Sequence, residues 1–238
     1  MPASAEPSSL LHRPDIWRGD RVAELGADCV ASGYAALDAL LPGAGWPCGA
    51  LSELLLDQPG IGELELLHPA LARLSAEGAW LAWVAPALPV YAPALLQWGL
   101  SLERLLVLPV KGLDALWCVE QILSSGAFGG VVAWLPEAQP PQMRRLQVAA
   151  QGQRPLAFVM RPSACAQQSS PAPLRVALHA GRHARAGLSV HVFKRRGAPV
   201  AQSIEIDIPR PVFRIDHGFP ALAGAPFSAS SARSLSAV

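Results

Sequence analysis

The stretch with the most chemical promise is "DQPGIGEL", residues 57–64. It follows an apolar run, "ALSELLL" (50–56), that reads as a buried strand, and it precedes helical apolar spacing. Its length matches the phosphate-binding pattern G-x-x-x-x-G-K-[ST]. In that loop, backbone N–H groups cradle phosphate, lysine neutralises it and a hydroxyl binds magnesium. Here Gly62 is the one demanded residue kept. Asp57 stands for the first glycine, Glu63 for the lysine and Leu64 for the hydroxyl residue. A glutamate facing a phosphate at roughly 4 Å costs about 4 kcal/mol at an effective dielectric near 20. Gly60 and Gly62 still permit the turn, and Glu63 suits the first turn of a helix. The residues therefore predict a degenerate phosphate loop acting as a strand-to-helix turn, with no bound cofactor.

The partners such a site needs are missing as well. The run "GVVAWL" (130–135) ends in Trp134, Leu135 and Pro136, with Glu137 the nearest carboxylate for a metal. After "AWLAWVA" (79–85) comes "PALPVY", again without a carboxylate. His179, His183 and His191 straddle a predicted hairpin without a fourth ligand, so no metal site is expected. Cys29, Cys48, Cys118 and Cys165 follow no C-x-x-C spacing, which fits a reducing cytoplasm.

Basic residues supply the remaining candidates. Lys194, Arg195 and Arg196 close the strand "GLSVHVFKRRG". Alternation puts Val190, Val192, Lys194 and Arg196 on one face, and His191, Phe193 and Arg195 on the other. The triplet could meet an acidic partner or a DNA backbone, or could be a solvated hairpin end. Arg144 and Arg145 fall early in the helix "PPQMRRLQVAAQ", where their charge opposes the helix dipole. Trp17, in "DIWRGD", is a candidate anchor for docking. Trp80, Trp83, Trp98, Trp117 and Trp134 are expected in the core.

Five near-continuous apolar runs (50–56, 79–85, 104–110, 130–135 and 155–160) alternate with helical segments. This predicts an α/β fold with a mostly parallel central sheet flanked by helices. The helix at 112–126 carries Leu113, Leu116, Val119, Ile122 and Leu123 at helical steps, and Gly126 stops it. Pro69, inside the helix after the loop, predicts a kink or late start. Ser32 is expected to cap a short helix in 32–41. After residue 174, strands with short links predict antiparallel edge strands at the C-terminal side. Residues 1–28 read as an N-terminal extension and candidate docking segment. Residues 217–238, rich in Gly, Ala, Ser and Pro, read as a disordered tail. Of the 238 residues 51% are apolar, and the net charge is +1. A large core is available, no global pull toward nucleic acid follows, and no apolar run reaches membrane-spanning length.

The blocks "GWPCGALSELLLDQPGIGELELL", "QMRRLQVAAQGQRPLAFVMRP" and "GLSVHVFKRRG" resemble the ImuA family, bacterial RecA-like proteins sometimes labelled SulA-like. The resemblance covers roughly 15–210. It implies a RecA-like core, with residues 29–210 as the RecA-like domain. It also implies a non-catalytic role in DNA-damage-induced translesion synthesis and mutagenesis. The partners implied are ImuB, an error-prone replicative-type DNA polymerase, RecA, and DNA directly or indirectly, in a cytoplasmic, nucleoid-associated setting. The segments matching RecA's DNA-binding loops, 136–142 and 161–173, carry only Arg161 as a basic residue. The alternative function is a SulA-type SOS cell-division inhibitor that binds FtsZ.

Overall fold

A computed structural model describes residues 29–181, 187–196 and 203–208. The candidate extension 1–28, with Trp17, and the expected tail 217–238 lie outside the described residues.

Eight strands form the main sheet. They are β3 (Ala50–Leu56), β4 (Trp80–Val84), β5 (Leu105–Leu108), β6 (Phe128–Trp134), β7 (Leu156–Pro162), β8 (Leu174–Ala180), β9 (Gly187–Lys194) and β10 (Ile204–Asp207). Their order across the sheet is β10-β9-β8-β3-β7-β6-β4-β5. The pairings among β5, β4, β6, β7, β3 and β8 are parallel, while β8–β9 and β9–β10 are antiparallel. A small ribbon of β1 (Cys29–Val30) and β2 (Trp46–Pro47) precedes it.

The parallel strands are apolar on both sides because both sides are covered. Leu51, Val131, Ala157 and Val159 face the helices α4 (Gly112–Ser125) and α5 (Pro140–Ala150). Leu54, Leu56, Trp83 and Phe158 face the other way. There they pack with α1 (Ala35–Asp38), α2 (Glu63–Ala76) and α3 (Ala92–Gln97). Trp46 meets Phe158 edge-on at 5.1 Å between ring centres.

Helix α4 ends where Gly126 turns left-handed, φ 66°. Its inward residues are Ala115, Val119, Ile122 and Leu123, whereas Leu113 is 74% exposed. Pro69 sits within α2 without ending it. The carbonyl of Glu65, four residues earlier, takes the Tyr34 hydroxyl at 3.2 Å instead of the missing N–H. Ser32 does not cap α1. Tyr34 is the residue before that helix, and the Ser32 hydroxyl accepts from the Tyr34 N–H at 3.1 Å.

The features that would make this core work as RecA-like are absent from the described residues. Segment 136–142 runs straight into α5, which starts at Pro140. Arg161, the one basic residue of segment 161–173, is 3% exposed and ion-paired to Glu53 at 2.7 Å. Neither segment offers DNA a basic loop, so the described sheet does not carry the RecA-like role expected of it.

Candidate partner-docking site

The turn after β3 is closed by its own carboxylate. Gly60 and Gly62 have φ of 86° and 124°, which point their N–H groups inward. The Gly60 N–H donates to Glu63 Oε1 at 2.8 Å and to Oε2 at 3.0 Å, and the Gly62 N–H donates to Oε2 at 3.2 Å. Glu63 is 3% exposed. A concavity of inward N–H groups attracts an anion, and here the anion is built into the chain. Leu64 packs against the core. Asp57 lies outside this nest. It meets His179 Nδ1 at 2.8 Å, joining the ends of β3 and β8. Hydrogen bonds from His179 and then Ser163 hold its carboxyl below the usual range.

Beside the turn lies a cavity of about 180 Å³, walled by Gly60, Glu63, Leu88 and Tyr91 and floored by Trp83 and Trp134. The two indoles stand edge to face, 6.3 Å between ring centres. They occupy the strand ends where a nucleotide site would carry its carboxylates. Leu88 and Tyr91 line the cavity, and these two and Leu96 of α3 are 55–58% exposed. The prolines Pro86, Pro89 and Pro93 bracket this segment, so α3 is short and the apolar residues before it stand on irregular backbone. An exposed apolar cluster of this kind marks an interaction surface. The sequence marked "PALPVY" only as a stretch without a carboxylate, since an apolar type does not announce its exposure. Of the five tryptophans expected in the core, Trp83 and Trp134 are buried and Trp98 is half-buried. Trp80 and Trp117 are 43% and 61% exposed.

The basic candidates do not converge on this site. Lys194 donates to the Ser170 carbonyl at 2.6 Å, and burial, then the Arg175 charge, pushes its pKa down. Arg195 donates to the Leu40 carbonyl. Arg196 is exposed beside Pro42 and Cys48. Arg145 pairs with Glu120 at 2.6 Å across α4 and α5, with Arg144 exposed alongside.

A buried charge cluster at Glu53 was not legible in the sequence. Its Oε1 accepts from Arg161 at 2.7 Å and its Oε2 from Arg175 at 2.7 Å. Arg175 also donates to the carbonyls of Cys165, Ala166 and Gln168, and its guanidinium lies 4.9 Å from the centre of the Phe193 ring. This cluster fixes the 163–170 loop to the sheet. Among the described residues no group of three His, Cys, Asp or Glu could hold a metal ion, and no helix is long and apolar enough to cross a membrane.

Comparison with known proteins places these elements. The family model described as cell division inhibitor SulA matches residues 49–156, the stretch from β3 to the start of β7. "Cell division inhibitor SulA" of Pectobacterium carotovorum is 34% identical over 121 residues, covering 48% of this chain and 69% of that one. The protein of the same name from Photorhabdus laumondii is 32% identical over 111 residues, covering 46% of this chain and 63% of that one. The crystal structure of SulA from Pseudomonas aeruginosa aligns at 31% identity and a TM-score of 0.40, covering 47% of this chain and 97% of that one. These matches correct the expected ImuA membership. The translesion and mutagenesis role falls with it, as do the ImuB, error-prone polymerase, RecA and DNA partners. The label RecA-like gives way to the mixed eight-stranded sheet with helices described above.

Proposed function

We propose, from the premise that this chain belongs to the SulA family of cell division inhibitors, that it is a SulA-type SOS inhibitor of cell division. It acts by binding the tubulin-like division protein FtsZ in the cytoplasm, without catalysing a reaction. The observation that carries the reading is the exposure of the apolar residues Leu88, Tyr91 and Leu96 within one short segment beside the cavity. It lies inside the segment that the family model matches. A buried anion nest filled by Glu63 supports a turn that serves as scaffold rather than as a nucleotide site. Arg144, Arg145, Arg196 and Trp17 are secondary candidates for partner contact, and Lys194 and Arg195 more weakly so because they already bond to their own chain.

The test is FtsZ assembly with GTP, followed by light scattering and sedimentation. The full chain is expected to suppress assembly in proportion to its concentration. Leu88→Asp together with Leu96→Asp is expected to leave the fold intact and abolish suppression. Normal FtsZ assembly at a molar excess of the folded wild-type chain would overturn the reading.

A further inference from the structure

Helices α4 and α5 present an apolar face that nothing among the described residues covers. Leu113 and Trp117 of α4 are 74% and 61% exposed, and Val148 of α5 is 60% exposed. Between the two helices lie adjoining hollows of about 240 and 660 Å³. Leu113, Leu116 and Trp117 wall the first, and Arg144, Val148 and Gln151 the second. Glu120 and Arg145, paired at 2.6 Å, line both and make them one groove. Large apolar side chains grouped on the outer face of a helix pair mark a contact surface. This face lies across the sheet from the cavity beside Trp83, because α4 and α5 pack on the side of Leu51 and Val159.

The chain itself supplies an occupant. It enters the described body at Cys29, which pairs with Pro47. Directly after Pro47 the backbone runs against the C-terminal half of α5. Cys48 and Gly49 share a cleft with Gln147 and Gln151, and the Leu51 N–H donates to Gln147 Oε1 at 3.0 Å. Gln151 also lines the groove, so residues 1–28 arrive at one end of it. Trp17 is twelve residues from Cys29, a reach of up to roughly 40 Å. Helix α5, at 11 residues, is only roughly 16 Å long. Leu10, Leu11, Ile16 and Trp17 are therefore all within reach of the groove. Charge agrees with this. Residues 1–28 hold five carboxylate side chains and three arginines, net −2, and the groove is lined by Arg144, Arg145 and Glu120, net +1. The C-terminal segment fits less well. Residues 209–238 hold three arginines and one aspartate, net +2. They leave from Ile208, whose Cδ1 is 3.4 Å from a Cβ built on Gly62, on the cavity side of the sheet.

We propose that the groove between α4 and α5 is the docking site of the chain's own N-terminal segment, with Ile16 and Trp17 seated against Leu113, Trp117 and Val148. Tryptophan is a favoured anchor in such contacts. The tether holds the segment at a high effective concentration, so a contact too weak to retain a free peptide suffices. Trp17, Arg144 and Arg145, scattered candidates in the sequence, then share one place. The proposal does not rest on the division partner, which the other face of the sheet would meet.

The experiment measures hydrogen exchange by mass spectrometry on the full chain. Amides of residues 10–18 should exchange at least about tenfold more slowly than in an unstructured peptide of the same sequence. The double variant Trp117→Ser with Val148→Ser, which changes only exposed side chains, should lose that protection and keep its thermal midpoint within a few degrees. Unprotected amides at 10–18 in the wild type would overturn the proposal, and so would protection that the folded double variant retains. A second measurement covers a variant that fails to fold. With p-benzoylphenylalanine at position 17 of the full chain, illumination at low micromolar protein should join that position to residues 113–120 or 141–153 of the same chain. Cross-links only to the Trp83 side of the sheet, only between two chains, or none at all would overturn it.

Discussion

The hydroxyl of Tyr34 donates to the carbonyl of Glu65 at 3.2 Å, in the turn of α2 that Pro69 leaves open. The two elements can approach because residue 33 is glycine. A Cβ there would lie 2.5 Å from Cβ of Pro69. Burial, then the nearby Glu65 charge, pushes the Tyr34 pKa up. Tyr34→Phe keeps the ring and removes the donor. It should cost about 1 kcal/mol in urea denaturation. Gly33→Ala should cost more, since Gly33 also has φ 87°. Equal stabilities for Tyr34→Phe and the wild type would show that another group satisfies the Glu65 carbonyl.

Glu63 is the chain's own anion, so removing it should create a vacancy for another. Glu63→Ala is expected to lose about 2 kcal/mol through its charge-assisted hydrogen bonds. Inorganic phosphate should then raise the thermal midpoint of the variant and not that of the wild type. The measurement is a thermal shift series at constant ionic strength. A variant as indifferent to phosphate as the wild type would mean that the turn relaxes when the carboxylate leaves.

Glu53 holds two guanidinium groups that are 2–6% exposed at their side chains. Glu53→Gln would leave both cations buried without a counter-charge, which typically costs about 3–5 kcal/mol. The loop 163–170 should loosen with it, because Arg175 donates to three of its carbonyls. Hydrogen exchange across residues 163–170 in the variant checks this, and unchanged protection there would contradict the role of the cluster as a loop anchor.

The Asp57–His179 contact should show in pH dependence. A carboxyl held below its ordinary value contributes stability that is present above the unfolded value, near 3.8, and is lost as pH falls through the lower folded value. In a carboxyl-detected titration, Asp57 should therefore titrate below 3.8. In His179→Ala it should move back toward that value, with Ser163 still holding part of the shift. Both residues are about half exposed, and the effect should shrink with added salt.

The basic triplet should behave unequally. Lys194 and Arg195 donate to main-chain carbonyls of Ser170 and Leu40, while Arg196 is exposed. Arg195→Ala should cost about 1 kcal/mol in denaturant titration, and Arg196→Ala should lie within about 0.5 kcal/mol of the wild type. Equal effects would mean that Arg195 is solvated like its neighbour.

What the sequence determined by itself is local. The run 50–56 became β3 with those bounds, and the apolar runs near 80, 105, 130 and 156 became strands. The Gly126 stop ended α4 at Ser125. Such features depend on neighbours a few residues away, so periodicity and turn chemistry carry them. That residues 57–64 carry no lysine and no hydroxyl at the phosphate-loop positions was equally legible, since it needs only residue types at fixed spacing. Whether an apolar residue is covered depends on elements far along the chain. Trp83 and Trp117 look alike in sequence, yet only Trp83 lies where two strands and α2 close over it, and Trp117 stands on the outer face of α4. The Glu53 cluster joins residues 108 and 122 positions apart, brought together by the pairing of β3 with β7 and β8. Sheet pairing is non-local and leaves no periodic signature, so only the tertiary structure could turn three scattered charges into one buried anchor, and one misplaced glutamate into the anion of its own loop.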